Sequence, residues 1–293
     1  MPDDAQLRPP QNRFPFANQS GYRRLYHYEE FNEEYFTGLL RDQRIHCSSA
    51  SNLNDPWDCR PFFDAGFTRF PDQRRLWIEW WKATQGGVPI PPDELKRMDS
   101  DPEHLLKEVF RLSVGFGKLI CERWGIYCLT PIPTSTLMWS HYAKNHTGIC
   151  LEYSLENNKL FPNACKVEYR TEYPSLSPVT LKDHRQLLLT KSADWSYEEE
   201  FRLLARLQSG PFDSHPLGPV FRAVDGFLPL PPVSLTSVIV GCENKEAELI
   251  RRLVNEHMPG LPTKRAVRFA NQYKLRIDED SFSRQTHEPL QAR

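Results

Sequence analysis

The chain has 293 residues, with 37 Lys and Arg against 38 Asp and Glu, so its formal net charge is −1. That balance excludes a strongly basic, nucleic-acid-coating protein and leaves room only for a local basic patch. Apolar residues make up 39% and aromatic residues 12%, including 7 Trp and 17 Phe, enough ring surface to build a globular core. No apolar run approaches the ~18 residues that would span a bilayer, so no membrane partner is expected. The start, Met1-Pro2-Asp3-Asp4, lacks the basic and apolar regions of a signal peptide. The 7 cysteines are scattered without a CxxC pair. They predict reduced thiols in a cytoplasmic chain and argue against a zinc ribbon.

In chain order, the proline-dotted residues 1–20 predict a loosely attached arm. Arg24 to Tyr28 reads as a strand, and Glu29 to Leu40 as a short helix with Phe31, Tyr35 and Phe36 at helical spacing. Ile45 to Ser48 reads as a second strand, and Asn52 to Asp58, around Asn54-Asp55-Pro56, as a turn. A Trp-rich helix is expected over Gln73 to Thr84, a break at Gly86 to Pro92, and a longer amphipathic helix over Pro102 to Ile120. Strands follow at Gly125 to Leu129, Thr147 to Tyr153 and Val167 to Tyr169, with a short helix over Ser135 to Ala143 and another from His184 towards Thr190. Trp195 to Leu204 alternates well enough to predict a strand, although Glu198 and Arg202 would also pair on a helix. A proline-rich loop over Gly210 to Pro232 precedes a strand at Val238 to Gly241. A helix over Ala247 to Glu256 and a last element over Arg265 to Arg276, ending in a strand, lead to a polar tail at 278–293. Without a repeat or a long linker, the reading is one α+β domain over 21–277, with a mixed or antiparallel sheet and peripheral helices.

Three clusters carry candidate chemistry. They are Tyr26-His27-Tyr28, then Met138-Trp139-Ser140-His141-Tyr142 with His146-Thr147-Gly148, and last Lys191 with Trp195 to Arg202. None matches a phosphate-binding loop, a dinucleotide fingerprint, a nucleophile elbow or a zincin helix. Together with Asn54-Asp55-Pro56-Trp57-Asp58, they resemble a bacterial family catalogued as domain of unknown function 2971, over about residues 22 to 245. His27 departs from the Lys or Arg expected there. The order of the clusters also resembles ADP-ribosyltransferase-like enzymes, which place a His or Arg on an early strand, a Ser or Tyr in the middle and a Glu late. The resemblance implies NAD as substrate and an unknown acceptor.

Bond cleavage between nicotinamide and ribose leaves positive charge on the ribose, which a nearby carboxylate stabilises most in the transition state. On a strand, Glu198 and Glu200 would face one cleft, with one holding the ribose and the other serving as base. His27 would donate to a ribose hydroxyl. Tyr26, Tyr28 and Tyr142 are candidate stacking rings, and Asn54, Asp55, Trp139, Ser140, Lys191 and Arg202 candidate ligand contacts. If Tyr26 and Tyr28 face the core, Tyr142 is the better stacking ring. His27 and the Glu198 to Arg202 segment are expected on neighbouring strands.

Plainer readings stand beside these. The Glu198 to Glu200 run reads equally as a solvated face, Trp139 and Trp195 as core anchors, and His27 as a hydrogen-bonded core histidine. Arg202 reads as a salt-bridge partner. The spacing of His141, His146 and Cys150 fits no standard metal site. Two other function classes remain at this point: a divalent-metal nuclease using Asp55, Asp58, Glu198, Glu200 and Lys191, and a non-catalytic module binding a nucleotide or a partner.

Overall fold

A computed structural model describes residues 14–60, 62–63, 65–84, 89–176, 185–208 and 221–279. Most of the predicted tail, residues 1–13 of the predicted arm, and residues 210–220 of the predicted loop lie outside them. The class is α+β, built on two sheets. In the first, Arg24–Glu29 pairs antiparallel with Ile149–Ser154, which pairs antiparallel with Leu235–Val240. Leu235–Val240 runs parallel to Thr263–Arg268, and Leu275–Asp278 closes the edge antiparallel. In the second, Phe201–Arg206 pairs antiparallel with Trp124–Leu129 and parallel with Phe221–Arg222. Ser48–Ser49 and Cys165–Lys166 add short antiparallel strands.

A backbone bridge joins the two sheets. Tyr26 N donates to the Thr130 carbonyl at 2.7 Å, and Thr130 N returns a bond to the Tyr26 carbonyl at 2.9 Å. Phe36, Leu39 and Leu40 of helix Glu33–Asp42 and Ile250, Leu253 and Val254 of helix Ala247–His257 pack into the core between the sheets. Helices Pro71–Thr84, Pro92–Ser100 and Pro102–Arg123 share a second core, where Trp77, Met98, Leu105 and Ile120 meet Trp124 and Ile126. A third, smaller cluster holds Tyr28, Trp139, Cys150 and Ile239. No disulfide joins any of the seven cysteines. No helix among the described residues is long and apolar enough to cross a membrane.

Several expectations need correcting. The arm is not loose up to residue 20: Phe14 and Ala17 are buried, and Phe16 bridges Cys165. The predicted strand at Ile45 to Ser48 divides around buried Cys47 into Arg44–His46 and Ser48–Ser49. Helix Pro92–Ser100 was not expected, although Pro92 and the acidic first turn of Asp93 and Glu94 are start signals. The largest correction concerns Trp195 to Leu204. Ala193–Glu198 is a 3-10 helix, Glu199 is left-handed (φ 47°, ψ 41°), and only Phe201–Arg206 is strand. Nor do the His27 and Arg202 strands adjoin, because Arg24–Glu29 pairs with Ile149–Ser154 in the other sheet.

The motif His146-Thr147-Gly148 has a structural explanation. Lys144, Asn145 and His146 are all left-handed, and the His146 carbonyl lies 2.1 Å from where a Cβ on Gly241 would sit. A Cβ on Gly148 would meet the Glu29 carbonyl at 2.3 Å. These two glycines let three chain segments close on one another where side chains would not fit.

Candidate active site

Beside the junction of the sheets lies a cleft of about 870 Å³. Tyr26, His27, Tyr28 and Glu29 line it from one sheet and Ile126 to Thr130 from the other; Asn54, Tyr142, Lys191, Glu198 and Glu200 form one end, and helix Glu33–Asp42 with Arg44, His46 and Phe227 lines the rest. His27 and the two glutamates therefore share one cleft although their strands are not neighbours.

Alternation along Arg24–Glu29 sets the first wall. Leu25 and His27 face one way, and Tyr26 and Tyr28 the other. Tyr28 packs edge-on against Trp139 at 5.1 Å and donates to the Ile132 carbonyl at 2.7 Å. Tyr28 thus belongs to the small third core, with Tyr26 and Tyr142 partly buried against it; the Tyr142 hydroxyl reaches Glu198 in the cleft. His27 stacks on Tyr127 with centroids 4.1 Å apart. Its Nδ1 lies 2.7 Å from the Cys128 carbonyl, which can only accept, so Nδ1 carries the hydrogen. Burial, only partly offset by that bond, lowers the pKa of His27 to about 4. The ring is neutral at pH 7, and Nε2 is an acceptor. With Nδ1 bonded to the Cys128 carbonyl, His27 offers the cleft an acceptor at Nε2, where the sequence reading expected a donor. Nε2 faces the Glu29 carboxyl at 3.8 Å, and burial raises that carboxyl to about 7.

The opposite side is an ionic chain. Arg202 is fully buried, and its Nε donates to Glu200 Oε1 at 2.8 Å. Its NH1 donates to Asp58 Oδ1 at 2.9 Å and to the Leu188 carbonyl at 2.7 Å, and its NH2 bonds Asp58 Oδ2 and Glu200 Oε2. Lys191 Nζ donates to Glu198 Oε2 at 2.7 Å and to Glu200 Oε2 at 3.4 Å. Tyr142 donates its hydroxyl to Glu198 Oε1, and Asn54 Nδ2 donates to that hydroxyl at 3.0 Å.

The two carboxylates are tuned in opposite directions. Burial pushes Glu200 up, but Arg202 and Lys191 outweigh it and hold the group at about 2. Burial, reinforced by repulsion from Glu200, raises Glu198 against the pull of Lys191. Glu200 is thus held ionised, while burial and its neighbour make Glu198 the more easily protonated of the two. Their convergence comes from the left-handed turn at Glu199, not from strand alternation. Glu199 itself points away and accepts from Tyr22 at 3.0 Å. The solvated-face reading therefore fails for Glu198 and Glu200, which are 2% and 3% exposed.

Other candidates move out of the cleft. Arg202 does not line it and acts as the internal counter-ion. Trp139 is fully buried, with Nε1 on the Pro133 carbonyl, and Ser140 bonds His146 Nε2 at 3.1 Å. Trp195 is only half-buried, so it is no core anchor; Lys191 Nζ lies 4.8 Å from its ring centre. Asp55 lines a different, smaller cleft. Sequence reasoning missed Glu29 and Tyr127. Glu29 was legible as the residue two beyond His27 on the same strand face. Tyr127 sat inside an apolar run whose facing could not be read.

Among the described residues one group has metal-ligand geometry: Glu94, His104 and Glu108, with ligand atoms within 4.8 Å of one another. It lies between two helices outside the cleft, and Arg111 already bonds Glu108. The residues His141, His146 and Cys150 form no such group.

A profile of the family described as protein of unknown function (DUF2971) matches residues 138–203. No curated protein and no solved structure shows a significant match to the chain. The matched stretch holds Tyr142, Lys191, Glu198 and Glu200 of the cleft, whereas His27, Glu29 and Asn54 lie outside it. Over residues 138–203, which supply the ionic side of the cleft, the chain is similar to the family known as protein of unknown function DUF2971.

Proposed function

We propose that the cleft binds NAD, cleaves its nicotinamide–ribose bond and passes ADP-ribose to an acceptor. One observation carries this reading: His27 and Glu198, distant in sequence, line the same cleft, and Tyr142 is hydrogen-bonded to Glu198. A volume of about 870 Å³ suits a nucleotide-sized ligand. His27 Nε2 accepts from a ribose hydroxyl, and the Tyr142 ring offers a face to the nicotinamide. As the C1′–N bond breaks, its electron pair leaves with neutral nicotinamide and positive charge spreads over the ribose. The ionised carboxylate of Glu198 stabilises that charge, and Lys191 and Tyr142 hold its two oxygens in place. The acceptor then bonds to C1′, and its proton passes to Glu198, whose raised affinity for protons suits a base near neutral pH. Glu200 keeps Lys191 charged and in position.

Calorimetric titration with NAD tests the binding half. The unaltered protein is expected to bind NAD, His27→Ala to bind at least tenfold more weakly, and Glu198→Gln to bind about as well as the parent. Failure of the unaltered protein to bind NAD would overturn the reading. Binding without bond cleavage would favour the non-catalytic nucleotide-binding alternative. The nuclease alternative is less favoured, because Arg202 and Lys191 already bond carboxylate oxygens of Asp58, Glu198 and Glu200.

A further inference from the structure

A second cleft, of about 280 Å³, lies on the far side of Lys191. Two buried polar atoms of its lining have no hydrogen-bond partner: Asp55 Oδ2 and Thr190 Oγ1. Asp55 is 5% exposed and Thr190 7%. Such atoms are costly to leave unsatisfied, so a native chain keeps them where something else completes them. Asp55 is held by its other oxygen, which accepts from Trp57 N at 2.9 Å, and Oδ2 is left without a partner at the wall of the cleft that the residue lines. The volume corresponds to about nine waters of liquid, more than one bridging water needs.

The charge around it defines the missing partner. Asp58, Glu198 and Glu200 face only two buried cations, Lys191 and Arg202. Asp55 adds a fourth buried carboxylate to that set. Glu172 and Asp194 add acidic groups to the same lining, and Arg170 is paired with Glu168 at 3.1 Å. Arg60 also contributes but is exposed. An anion would meet Asp55 Oδ2 directly. A cation would satisfy it, and would also gain from the rings of Trp57 and Tyr173 in the same lining. The Tyr173 hydroxyl donates to the Trp57 backbone carbonyl at 2.8 Å, which joins the two segments that carry these rings.

We infer that this second cleft is a binding site for a small organic cation carrying an ammonium or guanidinium group, with Asp55 Oδ2 and Thr190 Oγ1 as its hydrogen-bond partners. The site stands apart from the NAD reading and is tested without NAD. Calorimetry with agmatine, and with N-butylurea as an uncharged control, reads it directly. Agmatine is expected to bind, N-butylurea not to bind, and Asp55→Asn to weaken agmatine at least tenfold while keeping the Trp57 contact through its amide oxygen. Thr190→Val, expected to weaken agmatine about threefold or more, carries the same test should Asp55→Asn not fold. Absence of agmatine binding would overturn the inference and leave ordered water as the partner of both atoms. Equal binding of N-butylurea, or binding unaffected by the variants, would overturn it as well.

Discussion

Replacing Arg202 by Met tests the ionic chain behind the cleft. Met fills much of the same volume without a charge. The guanidinium is fully buried and bonds Asp58, Glu200 and the Leu188 carbonyl. Its loss strands two buried carboxylates, which costs about 3–5 kcal/mol when one partner of a buried pair is removed. The bare Leu188 carbonyl adds about 1 kcal/mol. Urea unfolding at pH 7 should therefore show Arg202→Met less stable by about 4–6 kcal/mol. A pH series gives an independent check. Glu200 sits at about 2 in the folded chain against an ordinary 4.5. A depressed carboxyl stabilises the fold above its unfolded value and loses that contribution as pH falls from about 4.5 to about 2. The shift is worth roughly 3 kcal/mol. Arg202→Met should lose most of that acid-side slope. A variant within about 1 kcal/mol of the parent, with the slope unchanged, would refute this account of the network.

Other consequences follow from the same contacts. Trp139→Ala should cost about 3–5 kcal/mol as a core truncation, whereas Trp195→Ala, at a half-buried ring, should cost much less; urea unfolding compares them. Gly148→Ala should destabilise, because its Cβ would collide with the Glu29 carbonyl, and a lowered unfolding midpoint would register it. Glu29 is raised to about 7 in the fold, so the folded chain holds a proton that the unfolded chain releases near 4.5. Stability should therefore fall as pH rises from about 4.5 through 7, and Glu29→Gln should flatten that fall; an unchanged slope would assign it to another group.

Much of the fold was legible from periodicity and turn chemistry. The strands at 24–29, 124–129, 149–154 and 235–240 and the helices at 102–123 and 247–257 stand close to their expected places, because each is a run with clear alternation or an amphipathic face. What failed was order in space and local handedness. Strand pairing depends on contacts between distant segments, so nothing in Tyr26-His27-Tyr28 told that its neighbour would be Ile149–Ser154 and not the Arg202 strand. The left-handed Glu199 was hidden because a Glu-Glu-Glu run carries no glycine to mark it. The site residues were found by type and not by geometry: Glu198, Glu200, Lys191, Asn54, Tyr142 and His27 share the cleft, whereas Arg202 and Trp139 look the same in sequence and serve the interior. Asp55 and Asn54 are adjacent in the chain yet line different clefts, a distinction set by the turn that holds them.

In the proposed reaction, Glu198 acts on the NAD glycosidic bond. Nicotinamide released from NAD by the purified protein, measured beside Glu198→Gln at saturating NAD, tests it most directly. The account predicts nicotinamide release by the unaltered protein and a loss of at least a hundredfold in Glu198→Gln, with NAD binding and folding retained. No nicotinamide release by the unaltered protein, or equal release by Glu198→Gln, would contradict it.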